Sequence, residues 1–191
     1  MVNTKLFPTA LIGSMPRGKE ILLARRKLSA DLIDEANYEK LVEEKTKEVV
    51  NLQEDLDIDI ISSGEIGRDN YVSFISKKLG GVTQMSMAQM LDYVDDKREF
   101  ENILTTLDVP ASSIKNAICT GKLEYKGDIV SNELRLLKSL TKRPVKITMP
   151  GPYLVTRSMW LANVSSNYYD SKEDLGEDAV SYTHLRAHET K

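Results

Sequence analysis

The sequence predicts an α/β chain in which short buried strands alternate with amphipathic helices, the grammar of a parallel sheet or barrel. Three observations carry this. A β-branched run, Asp57-Ile58-Asp59-Ile60-Ile61, stops in a small, charged turn, Ser62-Ser63-Gly64-Glu65-Ile66-Gly67-Arg68-Asp69-Asn70, before a helical pattern resumes near Tyr71. Thr9–Ile12 and Val145–Met149 are further short apolar runs, closed by Gly13-Ser14 and by Pro150-Gly151-Pro152. Between them lie segments with helical periodicity. In parallel α/β folds the C-terminal strand ends carry the chemistry, which makes Glu65, directly after the central strand, a candidate site residue. The same position also suits a plain cap of the next helix, or a first-turn pair with Arg68.

Taken in order, Thr9–Ile12 is the first strand, and Gly13-Ser14 is a turn whose backbone amides can face a ligand. Asp34 or Glu35 starts a long helix, with Tyr38, Leu41, Val42, Val49, Leu52 and Leu56 on its inner face and Glu43, Glu44, Lys47 and Glu54 on a solvated one. After the central strand, Tyr71, Val72, Phe74, Ile75 and Leu79 suit a helix closed by Gly80-Gly81. Residues 81–113 form an insertion over the strand ends, and Met85, Met87 and Met90 fill core gaps there instead of binding metal. Ala117–Thr120 is a third strand ended by Gly121, Ser131–Thr141 a helix, and Val145–Met149 a fourth strand.

Composition narrows the function classes. The chain has 191 residues, 41% of them hydrophobic, and a net charge of -3, enough for one sizeable core. Its basic residues are interleaved with acidic ones, and aromatics are only 6%, which argues against nucleic acid as a partner. No apolar run reaches the roughly 20 residues that span a bilayer, and Met1–Pro8 lacks the apolar core of a signal peptide. A single cysteine, Cys119, rules out an internal disulfide, fits a reducing compartment and is expected to be a small buried thiol. The cytoplasm is the expected location.

Three motifs, T-A-L-I-G-S-M-P (Thr9–Pro16), Q-E-D-L-D-I-D-I-I-S-S-G-E-I-G-R-D-N (Gln53–Asn70) and R-P-V-K-I-T-M-P-G-P (Arg143–Pro152), resemble the opening of the catalytic barrel of cobalamin-independent methionine synthase. They come in that family's order and at about its spacing. The resemblance implies a truncated (β/α)8 TIM barrel, roughly its first four βα units, since a whole barrel takes about 250 residues. It implies a methyltransferase that moves a methyl group from 5-methyltetrahydrofolate to homocysteine, with zinc holding the thiolate. By the same resemblance, Ile12, Gly13 and Ser14 hold the amino-acid end of the substrate, Glu65 grips the same amino acid, and Trp160 stacks on the pterin ring. An α-carboxylate suits backbone amides at a strand-to-helix turn, and an α-ammonium suits a fixed carboxylate.

The sequence also departs from that pattern. Trp160 stands two residues further from the Gly151-Pro152 turn than the family's tryptophan, and Ser112 and Ser113 stand where the family has a folate-binding arginine. The implied zinc ligands, a His and a Cys, then a Glu and another Cys, belong to later strands. No metal ligand and no catalytic residue are therefore assigned to this chain, which is expected to be inactive alone and prone to aggregate through its open sheet edge. Val180–Thr190 resembles the translation of a transposase-based sequencing adapter, so residues 1–179 are expected to be the native half-barrel and 180–191 a foreign tail. His184 and His188 fall in that tail, and their spacing of four is not taken as a zinc site. Rival readings are a barrel enzyme that alkylates another thiol, of coenzyme M type, a porphyrinogen-decarboxylase-like enzyme, and a non-catalytic truncated chain.

Overall fold

The computed structural model describes residues 6–68, 73–76, 78–105, 115–126 and 129–189. The elements are α1 (Lys19–Ser29), α2 (Glu35–Asp55), α3 (Ser73–Ser76), β1 (Leu79–Ser86), α4 (Met87–Met90), a 3-10 turn (Leu91–Tyr93), α5 (Lys97–Thr105), β2 (Lys115–Tyr125), α6 (Ser131–Leu140), α7 (Pro152–Met159), α8 (Ala162–Ser165) and α9 (Lys172–Glu189). They form two compact units. The first holds residues 1–68 and 130–148, the second residues 69–129 and 149–191.

In the first unit, three extended segments lie side by side and run parallel, with Ala10 bridged to Ile60 and Ile61 to Val145. The sequence places strands at all three. Their pairing is short, carried by Ile60 N–H to the Thr9 carbonyl (3.0 Å), Ile61 N–H to the Pro144 carbonyl (2.8 Å) and Lys146 N–H to the Ile61 carbonyl (2.9 Å). Side chains hold the register where the ladder is thin. The Asp59 carboxylate accepts from both Thr9 N–H and the Thr9 hydroxyl at 2.9 Å, and the Arg143 guanidinium donates to the Ile58 carbonyl at 2.6 Å. Val50, Ile61 and Leu137 are fully buried between the segments, α2 and α6, with Ile58, Leu140, Val145 and Ile147 packed around them.

Helix α2 starts where its sequence signals a start, with the Asp34 carboxylate accepting from Asn37 N–H at 2.8 Å. The inner face differs from the periodic expectation. Tyr38, Thr46, Val50 and Gln53 are its buried residues, while Leu52 and Leu56 are exposed at 46% and 66%. Glu54, expected on the solvated face, is half-buried. A polar residue displaces leucines from the core face because Gln53 makes backbone bonds that a leucine cannot. Its amide donates to the Ser62 and Val49 carbonyls (2.8 and 3.0 Å), and its oxygen accepts from Ser62 N–H at 3.0 Å. Helix α1 was not anticipated, although Ile21 and Ala24, its buried residues, stand at helical spacing.

The second unit corrects two sequence expectations. Gly80 and Gly81 do not close a helix; they belong to β1, and α3 is a single turn. Ala117–Thr120 is not a short parallel strand ending at Gly121; it lies inside the longer β2, which runs through Gly121 and pairs antiparallel with β1. The pairing is irregular between Gly80 and Val82, where Gly81 takes φ +72. Bulges favour a glycine in that left-handed region. Ile118 packs with Leu161 and Val164, and Met85 and Met90 fill the margin of this cluster as expected. Tyr71, Val72, Ser112 and Ser113 lie outside the described residues.

Cys119 is fully buried in β2, its thiol donating to the Gly121 carbonyl at 3.2 Å. Burial pushes this thiol up from its ordinary range, as suits a packing residue. Pro152 opens α7 directly after Gly151, as the turn motif implies. Helix α9 continues without a break across position 180. Among the described residues, no helix is long and apolar enough to cross a membrane.

Candidate functional site

The central segment leaves the sheet at Ile61, and Ser62, the residue after it, is fixed from behind. Gln53 pins Ser62 through both of its backbone groups, so the turn that follows has a defined direction. Gly64 and Glu65 both take left-handed conformations, φ +66 and +57. For Gly64 that conformation is cheap, and a Cβ there would meet the Met15 and Val49 side chains at 2.9 Å. For Glu65 it is a sparsely populated conformation, held by its surroundings. The Ser63 hydroxyl accepts from Glu65 N–H at 3.1 Å.

Glu65 is 9% exposed, and its carboxylate lies in a buried polar network. Thr148, at the end of the third parallel segment, donates its hydroxyl to Glu65 Oε1 at 2.5 Å. Arg68 Nη1 lies 3.7 Å from the same oxygen and donates to the Thr148 carbonyl at 2.8 Å. The rest of the guanidinium is committed elsewhere: Nε and Nη2 both donate to Glu133 Oε2, at 3.1 and 2.8 Å. The Ser63 hydroxyl closes the ring by a short hydrogen bond to Glu133 Oε1. Two carboxylates thus flank Arg68, which meets Glu133 squarely and Glu65 only at its edge. Glu65 caps no described helix, and its pair with Arg68 is a loose one.

The structure brings two of the sequence-assigned groups together. The Gly13-Ser14 turn and Glu65 end neighbouring parallel segments, and Met15 N–H donates to the Gly64 carbonyl at 2.9 Å. Gly13 has φ +80 with open space around it, and Ile12 is 97% exposed, so this turn is accessible. Trp160 belongs to the second unit, where it is the half-buried C-cap of α7. Ser63, Thr148 and Glu133 were missed as site residues. Thr148 sits in the third motif and Glu133 in the first turn of α6, where an acidic residue is ordinarily explained by the helix dipole.

The zinc ion implied by the resemblance does not fit the donors present. Among the described residues no group of three or more His, Cys, Asp or Glu could hold a metal, and Cys119 is buried in a strand. The purified chain is expected to carry no stoichiometric zinc by elemental analysis. One tightly held zinc per chain, lost when His184 or His188 is replaced, would contradict this.

Comparison with known proteins agrees with the motifs. The family model for the cobalamin-independent synthase catalytic domain matches residues 7–167. A 5-methyltetrahydropteroyltriglutamate–homocysteine methyltransferase of Thermotoga petrophila is 28% identical over 177 residues, which is 93% of this chain and 20% of that protein. One from Streptococcus mutans is 29% identical over 155 residues, 81% of this chain and 19% of the relative. This chain therefore spans about a fifth of the length of the curated relatives it matches. Among solved structures, a B12-independent methionine synthase from Shewanella sp. W3-18-1, in complex with selenomethionine, superposes with a TM-score of 0.67 at 17% identity, over 97% of this chain and 48% of that one. A putative vitamin-B12 independent methionine synthase from Listeria monocytogenes gives 0.64 at 18% identity, over 94% and 46%. With most of its length matched by the family model and its fold shared with these structures, the chain belongs to the cobalamin-independent synthase family, in the catalytic domain.

Proposed function

We propose that this chain supplies the amino-acid-binding part of a barrel methyltransferase that transfers a methyl group from 5-methyltetrahydrofolate to homocysteine, forming methionine. In this reading Glu65 receives the α-ammonium and the Ile12-Gly13-Ser14 turn receives the α-carboxylate. The observation that carries it is the juxtaposition of an accessible turn with a buried carboxylate, made by the Met15 N–H bond to Gly64. Glu65 keeps acceptor capacity, because Thr148 supplies its closest donor and Arg68 is spent mainly on Glu133. That a structure sharing this fold is in complex with selenomethionine supports the ligand class. Trp160 is proposed as the pterin-stacking residue. Zinc, which in this family's chemistry holds the thiolate, is assigned to a part of the barrel that this chain does not supply, and no step is derived through it. Residues 1–179 are proposed as native half-barrel of a cytoplasmic enzyme and 180–191 as adapter-derived, which resequencing the gene from an independent source tests.

Titrating the purified chain with L-methionine by calorimetry tests the site. Glu65→Gln keeps the shape and an oxygen for the Thr148 hydroxyl, and removes the charge that faces the ammonium. A charge-assisted bond of this kind is worth about 1.5–3 kcal/mol, so affinity is expected to fall by roughly ten- to a hundred-fold. Unchanged affinity together with lost stability would make Glu65 a structural member of the Arg68 network instead.

A further inference from the structure

Among the described residues, the buried and half-buried guanidinium groups of the first unit are supplied with acceptors, except at Arg17. Arg25 donates to the Tyr38 hydroxyl and the Arg68 carbonyl, Arg68 to Glu133 and Thr148, and Arg143 to the Ile58 carbonyl and Asp57. Arg17 is different. Among the described residues its buried Nε has no hydrogen-bond partner, and Nη2 reaches the Glu65 carbonyl alone, at a long 3.4 Å. Buried donors are almost always satisfied, so an orphan on a guanidinium points to an acceptor that arrives from outside. Its place is informative. Arg17 follows the Gly13-Ser14 turn by three residues, and its own segment is tied along Gly64 and Glu65 by the Met15 and Arg17 contacts.

We infer that Arg17 is the anion-binding side chain of this site and takes the carboxylate of the amino-acid thiol through its planar fork. This rests on the proposed function and adds a residue to it: backbone amides of the turn do not hold the carboxylate alone. In this reading the two side chains grip a zwitterion, Arg17 its negative end and Glu65 its positive end. A guanidinium fork also fits a sulfonate. Glu65 is accordingly what makes the site prefer an amino acid over a mercaptosulfonate, which has no ammonium to offer it.

The test follows the Arg17 Nε–H resonance of the isotope-labelled chain while L-methionine, methioninol, 3-(methylthio)propionate and 2-mercaptoethanesulfonate are added separately. The resonance is expected to move saturably with methionine and with 3-(methylthio)propionate, and to stay put with methioninol, which lacks the carboxylate. Arg17→Gln is expected to weaken methionine by roughly ten- to a hundred-fold and to leave methioninol within about twofold. Arg17→Lys, which keeps the charge without the fork, should fall between. Methionine binding with an unmoved Nε–H, or equal losses for methionine and methioninol in Arg17→Gln, would overturn the inference. If the carboxylate probe moves Arg17 while Glu65→Gln changes nothing, the Glu65 assignment fails and the Arg17 assignment stands. Tighter binding of the mercaptosulfonate than of methionine would likewise uphold Arg17 and overturn the amino-acid reading. No binding of any probe would overturn both.

Discussion

Arg68→Met is expected to destabilise the first unit by about 3–5 kcal/mol, measured as the shift in its urea unfolding midpoint at unchanged slope. Methionine preserves much of the side-chain volume and removes the charge. What remains is a pair of carboxylates, Glu65 and Glu133, each largely buried and each without its cation. The Thr148 carbonyl also loses its donor at 2.8 Å. Removing one partner of a buried ion pair costs far more than the pair's net worth, because the other charge stays in a poorly solvating place. Adding Glu133→Gln to Arg68→Met should recover a substantial part of the loss, since it removes one of the two stranded charges while keeping an acceptor for Ser63. A single-variant loss below about 1 kcal/mol would mean that the network behaves like an ordinary surface pair.

The parts of this fold that were legible in the sequence are those fixed by local chemistry. The start of α2 was legible to within one residue, at Asp34 or Glu35, and the structure shows Asp34 as its capping carboxylate. The three parallel segments were legible because each ends at a glycine or proline turn. The meeting of Gly13-Ser14 with Glu65 was implied by the family resemblance alone, and the structure shows the two turns closing neighbouring segments. Partners distant in sequence were not legible. Glu133 reaches Arg68 across 65 positions and Thr148 reaches Glu65 across 83, and no spacing rule encodes such pairs.

Strand direction failed for another reason. Alternation at a period of two is the same in parallel and antiparallel strands, so Ala117–Thr120 carried no sign that its partner was β1. The burial of Gln53 shows a third limit. Hydropathy places leucine inside and glutamine outside, yet the backbone groups of Ser62 need a two-sided hydrogen-bonding partner, and Gln53 is that partner.

Gly81→Ala is expected to disrupt the β1–β2 pairing, at a cost of more than about 3 kcal/mol, whereas Gly80→Ala should cost less, about 1–2 kcal/mol. The two glycines look interchangeable as a helix-ending pair, and they are not. A Cβ on Gly81 would lie 2.1 Å from the Lys122 carbonyl oxygen, 2.7 Å from its carbon and 2.8 Å from the Gly121 oxygen, and the residue sits at φ +72. Those neighbours are backbone, so relief requires the strands to part. A Cβ on Gly80 would instead meet the Glu124 Cβ at 2.9 Å and the Lys126 Cε at 3.1 Å; the lysine end can swing away, and the Glu124 Cβ needs only a small shift of β2. Cys119 gives a local readout, because it is paired with Val82 next to the irregularity and its thiol is fully buried. Thiol labelling under native conditions should be slow in the parent chain and in Gly80→Ala, and fast in Gly81→Ala. Equal costs of about 1 kcal/mol at the two positions, with Cys119 protected in both, would instead be the signature of a glycine-capped helix end.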